Sequence, residues 1–570
     1  MKTTSHTSPA LLRKLEQYRY YPAFLTLVSV TCFWLAWPPN RCAPLLFVAF
    51  VPLLLMEYHV STHNYKRPYR SFFLYAYLTI FLWNLTTTWW VACVTVPGAI
   101  FMLLVNTLCM CLPLPIFQWT TKYEGRLVGC ASLVSYWVTM EYLHCYWQFS
   151  FPWLVLGNGL AHFPEWVQWY EYTGTLGGTV WILAANVCFF QALCASKSGI
   201  LQRKAWGGLA AVCVLLPILV SYPHYVYYQE KGEEVEVVVI QPNINPITAD
   251  IPSTQARIDR LIELSETQLT KQTQLLVWPE AALDPTFNEE ELRDYLAIDR
   301  LIKFRQQYPE LSLLLGITSR VSYDSKVTKT TRFSDRHGYF DVFFSALFIG
   351  NQGVLDTYHK SKLVPGAEFI PYLYSIKLPA CLTSGMGGTL RSMGMQDHPS
   401  IFCNTKGTNI APVICYESIY SAYLAEFVRR GASLFCAMKM MGWWGDTPGY
   451  QQGFHYARLR AIETRRSMAH SALQGISGFI NQRGDVLQAT QRYDDQAAFR
   501  HTLRANTKLT LYVKYSNFIP CLALCLAFSF IVLVIVGIKV KAKLKIIEAE
   551  IKAAKEAEEA KGKDDADRSV

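Results

Sequence analysis

Eight apolar stretches, each near the length that crosses a bilayer, frame a middle of ordinary polar composition. They lie at about 21–38, 43–58, 71–94, 98–118, 126–144, 174–195 and 205–222, with the last at about 517–538. Inside a bilayer every backbone polar group must find its partner within the protein, so such stretches are expected to be helices. The chain is therefore expected to form a multi-pass α-helical membrane bundle of eight spans with a soluble domain on its seventh connection. The first stretch does not read as a signal peptide, because its exit, Trp37-Pro38-Pro39-Asn40, has no small-residue cleavage site.

Lysine and arginine set the expected orientation. Lys2, Arg13, Lys14 and Arg19 precede the first span, and Lys66, Arg67 and Arg70 lie between the second and third. Lys122 and Arg126 lie between the fourth and fifth, and Lys197, Arg203 and Lys204 between the sixth and seventh. The tail after Gly537 opens with Lys539, Lys541, Lys543 and Lys545. The alternate connections are nearly free of positive charge, so both termini are expected on the cytoplasmic side and the middle domain outside. The net charge of +10 is thereby accounted for by membrane topology, and no nucleic-acid partner is implied. The 16 cysteines show no CxxC pair and no Cys/His ligand spacing, so no metal site is expected. The expected division is 1–232 for the seven-span bundle, 233–507 for the outer domain, 508–540 for the eighth span and 541–570 for a charged tail.

The outer domain alternates strand-like and helix-like segments, which argues for an α/β fold. Strands are expected at 234–240, 275–278, 311–317, 343–349, 410–414, 432–437 and 476–481, and helices at 255–271, 418–430 and 449–466. Two segments suit lipid. The loop from Cys145 to Thr173 carries Phe149, Phe151, Trp153, Trp166 and Trp169, aromatic residues that favour the headgroup level. It is expected either to pack between helices or to wall a lipid site. The glycine-rich stretch from Pro365 to Ser400 exposes Phe369, Ile370, Tyr372, Leu373, Tyr374, Met386 and Met393, and is expected to be an apolar lid.

Three polar residues stand where strands end: Glu280, Lys360 and Cys415. A carboxylate, an ammonium and a thiol make a complete acyl-transfer set. Glu280 is expected to take the thiol proton, Lys360 and the Tyr416 backbone N–H to hold the oxyanion, and Cys415 to carry the acyl group. A cysteine at a strand-to-helix corner is also expected to be ionised more readily by the helix N-terminus. Singly, each residue also reads as ordinary: a strand-end carboxylate, a solvated lysine, a core thiol. Cys436 ends its own strand without partner motifs and is expected to be a core residue.

Trp278-Pro279-Glu280, Tyr358-x-Lys360-x-x-Leu363-Val364-Pro365-x-x-Glu368 and Ile414-Cys415-Tyr416-Glu417 resemble the motifs of the nitrilase superfamily. With the eight spans and Phe151-Pro152-Trp153, the closer resemblance is to its membrane-embedded apolipoprotein N-acyltransferases. That resemblance implies an α-β-β-α sandwich on a membrane bundle in a bacterial inner membrane, with the sandwich on the periplasmic side. It implies a phospholipid acyl donor, membrane lipids as surroundings and a diacylated apolipoprotein as acceptor, without metal or nucleotide. It also implies supporting roles for Glu368, Tyr416 and Glu417. Trp153, Phe369, Trp443 and Trp444 are the expected substrate-binding residues. Where the family usually carries polar side chains, this chain has Phe344, Met440, Met441 and Leu473. Those exchanges keep open a non-catalytic lipid- or lipoprotein-binding protein of the same fold, and a membrane-tethered amidase is the further alternative.

Overall fold

The computed structural model describes residues 20–63, 65–195, 199–246, 253–372 and 392–567, with side chains as far as 556. The basic residues at 2, 13, 14, 19 and 197, the lid residues Leu373, Tyr374 and Met386, and the flanking charge pattern that depends on them lie outside the described residues.

Helical segments lie over all eight apolar stretches, but 43–58 is divided between Ala43–Phe47 and Val51–Thr62, 71–94 between Pro68–Thr88 and Trp89–Cys93, and 98–118 between Val96–Cys111 and Pro113–Glu124. Among the described residues, five helical segments are long and apolar enough to cross a membrane: Ala43–Thr62, Val96–Glu124, Tyr170–Cys194, Ile200–Tyr227 and Phe518–Glu556. Tyr21–Ala36 is a shorter apolar helix. Pro68–Thr88 and Arg126–His144 are helices over the third and fifth stretches. The last helix runs without a break from Phe518 to Asp567, so the charged tail continues the span instead of leaving it.

The outer domain is built on two sheets. One has eight strands and the other six. In the strand Glu233–Gln241, successive side chains alternate between faces, and both faces are apolar. Val237 and Val239 join the core shared with the second sheet, while Val238 and Ile240 join the helices Thr254–Glu266 and Leu296–Gln306. The second sheet has Asn409–Ile414, Leu434–Lys439 and Met468–Ala472 side by side and parallel. Helices Ser421–Arg429 and Pro448–Thr464 lie against it. The result is the expected α-β-β-α layering, with strand ends displaced by a few residues from those read in the sequence.

The helix Pro448–Thr464 ties this sandwich to the bundle. Thr447 caps its start, Pro448 occupies the first turn, and Arg465 ends it in the left-handed conformation at φ +51°. Arg465 and Arg466 therefore lie just past the helix and not in its last turn. Arg465 Nε donates to Glu171 Oε2 at 2.8 Å, and Arg466 Nε donates to the Ala432 carbonyl at 2.8 Å. Within the helix, buried Arg460 pairs with Glu463 at 2.9 Å. Arg460 also donates to Ile419 O and Asn158 Oδ1, and Glu463 Oε1 accepts the Thr175 N–H at 2.7 Å.

Candidate active site

Glu280 follows the strand Leu275–Val277, and the turn that carries it is pinned by its neighbour strand. Trp278 N–H donates to Leu314 O, Gly316 N–H to Pro279 O, and Ala282 N–H to Gly316 O. Any side chain at 316 would meet the Glu280 Cα at 2.5 Å, so glycine there is what lets the carboxylate's backbone approach. Lys360 follows the strand Leu355–His359 and is fully buried. Its Nζ donates to Glu280 Oε1 at 3.0 Å and to Glu368 Oε1 at 2.6 Å. Glu368 Oε2 accepts the Val364 N–H at 2.8 Å, which fixes the carboxylate that fixes the lysine. Burial alone would lower Lys360, but Glu280 and Glu368 outweigh it and hold the ammonium well above the usual range. Burial raises Glu368 despite the nearby ammonium. Glu280 Oε2 is buried and has no hydrogen-bond partner among the described residues. A carboxylate oxygen in that condition is a vacant proton acceptor.

Cys415 stands at the end of Asn409–Ile414 with φ +46°, a left-handed conformation that non-glycine residues rarely adopt. It opens a 3-10 turn, Cys415–Ile419, and the α-helix begins only at Ser421. The expected helix at 418–430 is thus shorter, though Gly431 does follow it at φ +106°. The expectation of a readily ionised thiol is also corrected. Burial and the Glu280 charge push the Cys415 thiol up to about 12, while Lys360 and Lys439 pull it down. The thiol shares its cavity with the buried carboxylate of Glu280.

Tyr416 places its N–H near the start of that turn, where the first N–H groups have no partner within the turn. Its hydroxyl donates to Ser150 O at 3.1 Å, docking the turn on the aromatic loop. Glu417 braces the site from behind. Its Oε1 accepts from the Tyr358 hydroxyl at 2.5 Å and the Ser361 N–H at 2.7 Å, and its Oε2 accepts the Ile414 N–H at 2.8 Å. One buried carboxylate thereby joins the lysine segment to the cysteine strand. Burial raises it to about 7 even so.

Lys439 is a site residue that sequence reasoning missed. It ends Leu434–Lys439, the strand beside the cysteine strand, and is buried. Its Nζ donates to the Cys415 carbonyl at 2.5 Å and to Ser418 Oγ. The strand register places it: in the parallel pairing Met438 stands opposite Ile414, so Lys439 stands level with Cys415.

Glu280, Glu368, Cys415, Tyr416 and Lys439 line one cavity of about 220 Å³. Its other walls are mostly apolar and come from both parts of the chain, including Trp90, Phe101, Val105 and Met102 on the membrane side. Trp153, Trp443 and Trp444 line it as well. Trp153 is buried, donates to Gln452 Oε1 at 2.6 Å and lies 4.9 Å from the Trp90 ring. The aromatic loop is therefore packed and a wall of the cavity at once. Phe369 departs from expectation: it packs with Val342, Leu363 and Met393 and does not line this cavity.

The apolar exchanges have definite positions. Phe344 sets its ring 5.4 Å from Lys360 Nζ, and its carbonyl accepts the Lys360 N–H at 2.8 Å. Met440 and Met441 line the cavity. Leu473 is buried, with its N–H on the Lys439 carbonyl at 2.9 Å. Cys436 is a buried core residue.

Residues 29–188 match the N-terminal domain of apolipoprotein N-acyltransferases, and residues 237–496 match the carbon-nitrogen hydrolase domain. The chain is 26% identical to an apolipoprotein N-acyltransferase of Chlorobaculum tepidum over 519 residues, covering 89% of this chain and 95% of that protein. It is 24% identical to one of Geobacter metallireducens, covering 85% and 89%. Among solved structures, a nitrilase-superfamily protein of Saccharomyces cerevisiae aligns with a TM-score of 0.35 at 12% identity, over 51% of this chain and 97% of that one.

Proposed function

The chain belongs to the apolipoprotein N-acyltransferases of the nitrilase superfamily, and from that premise we propose that it acylates lipoproteins through a thioester on Cys415. The donor is a membrane phospholipid, and the acceptor is the α-amino group of a diacylglyceryl-cysteine lipoprotein. The observation that carries this reading is Glu280 Oε2, buried and without a hydrogen-bond partner among the described residues, on a residue that lines the same cavity as Cys415 and the apolar membrane-side walls. A small amide would not need such walls.

In this scheme Glu280 takes the Cys415 proton as the sulfur attacks the donor's ester carbonyl. Lys360 and the Tyr416 N–H stabilise the tetrahedral oxyanion. Collapse breaks the ester C–O bond, and Glu280 returns the proton to the leaving lyso-phospholipid. The neutral amine then attacks the thioester, Glu280 accepts its proton, and the departing sulfur recovers it. Glu368 holds Lys360 in place, and Trp153, Trp443 and Trp444 contact the acyl chain. The bundle crosses a bacterial inner membrane eight times, with both termini in the cytoplasm and the sandwich on the periplasmic side. Its boundaries are those given above.

Turnover tests the reading. The purified full chain is mixed with a phospholipid labelled in its acyl chain and a diacylated peptide with a free N-terminal cysteine. Triacylated peptide and lyso-phospholipid are expected in equal amounts. Binding of the peptide without release of lyso-phospholipid would instead identify a non-catalytic binding protein.

A further inference from the structure

We propose that Lys439 is a second cation of the active site, one that fixes the nucleophile turn and draws negative charge onto the Cys415 sulfur when the thiol is ionised. The inference rests on the reading of Cys415 as the acyl carrier.

Two buried lysines reach this site, and they are held differently. Lys360 is paired with two carboxylates. Lys439 has no carboxylate within ion-pair distance among the described residues; its acceptors are the Cys415 carbonyl and the Ser418 hydroxyl, both neutral. Ser418 Oγ in turn donates to the same carbonyl at 3.1 Å. Two donors, Lys439 Nζ and Ser418 Oγ, thus close on the carbonyl of a residue in the left-handed conformation, which holds a backbone geometry that is otherwise unfavourable. A neutral donor would satisfy the same two acceptors. A buried charge with neutral partners is expensive to keep, so its retention calls for a use of the charge itself.

The use follows from where the negative charge goes. When the proton passes from Cys415 Sγ to Glu280 Oε2, one unit of negative charge leaves a carboxylate bonded to Lys360 and appears on the sulfur. Lys360 remains shared with Glu368. Among the described residues Lys439 Nζ is bonded to the carbonyl of Cys415 itself and makes no ion pair with Glu280, whose partner is Lys360, so its charge favours the transfer toward sulfur. The same cation stands at the turn where the oxyanion would form.

The other titratable groups around Lys439 are few. Among the described residues Glu280 and Glu368 line the cavity with it, Lys360 lies buried against those two carboxylates, and Glu417 stands on the cysteine turn. From the next strand, His470 is held down to about 3 by burial and by Lys439, so it is neutral near pH 7. Burial lowers Lys439 itself to about 8, which leaves it mostly charged at neutral pH.

The test is the pH profile of Cys415 alkylation by iodoacetamide in the detergent-solubilised full chain, followed by the mass of the Cys415 peptide. Lys439→Gln keeps a donor and loses the charge; Lys439→Met loses both. Alkylation of Lys439→Gln at pH 7.5 is expected to be at least about tenfold slower than in the parent, with its midpoint moved to higher pH. Lys439→Met is expected to be slowed as much or more, and it carries the comparison alone if Lys439→Gln does not fold. A Lys439→Gln profile that overlays the parent while Lys439→Met is slowed reduces Lys439 to a hydrogen-bond donor and overturns the proposal. Overlay of both variants on the parent overturns it too. No acyl donor is present, so failure of the acyl-carrier reading, seen as a missing thioester in the parent, is a separate result.

Discussion

At Lys439 a charge is held where a neutral donor would satisfy the same acceptors, and the fold bears the difference. Its folded value, about 8, lies below the unfolded 10.5. Below pH 8 the group is charged in both states, and the folded chain carries the full desolvation cost. Between pH 8 and 10.5 the folded chain gives up its proton first, so the cost fades and stability rises with pH. Relative to Lys439→Met, the parent's unfolding free energy is expected to gain about 3 kcal/mol across that window. Denaturant unfolding in detergent at the two pH values measures this, and a flat or falling difference contradicts it. Glu280, Lys360 and Cys415 were legible in sequence because each closes a strand-like run and carries a recognisable flank. Lys439 was not, because a lysine at the end of Phe435-Cys436-Ala437-Met438 looks like any solvated strand end. Only the register of adjacent parallel strands brings it level with Cys415.

Strands with β-branched or leucine-rich runs, such as 234–240 and 275–278, were readable because burial on both faces leaves a nearly continuous apolar signature. The turn at Cys415–Ile419 was not, because a 3-10 turn and an α-helix start share the same residue preferences, and the left-handed cysteine is imposed by its packing. Helix Pro448–Thr464 was legible as a helix, but its task was not. Its buried Arg460–Glu463 pair links the cysteine turn at Ile419 to Asn158 and Thr175 of the membrane part. Glu463→Leu strands the Arg460 guanidinium and is expected to cost about 3–5 kcal/mol. The midpoint of denaturant unfolding in detergent reports it; a change under 1 kcal/mol would mean that the pair does not hold the two parts together.

At the scale of the whole molecule, neither half holds a complete site. The outer domain supplies the carboxylates, lysines and thiol, while the bundle and its aromatic loop supply much of the apolar wall. Sequence reading reached the two parts separately, through hydropathy and through motifs. It reached the aromatic loop as a wall of a lipid site, but not the helix Val96–Cys111 as another, since that depends on which face of the helix meets the cavity. If Cys415 is the acyl carrier, an acyl chain drawn from the bilayer is transferred to it before any acceptor arrives. The most direct measurement is the mass of the Cys415 peptide after the full chain is incubated with labelled phospholipid alone. A hydroxylamine-sensitive acyl adduct on Cys415, absent from Cys415→Ala and reduced at least about a hundredfold in Glu280→Gln, is the predicted result. An unmodified Cys415 in the parent, or label that persists in Cys415→Ala, would contradict it.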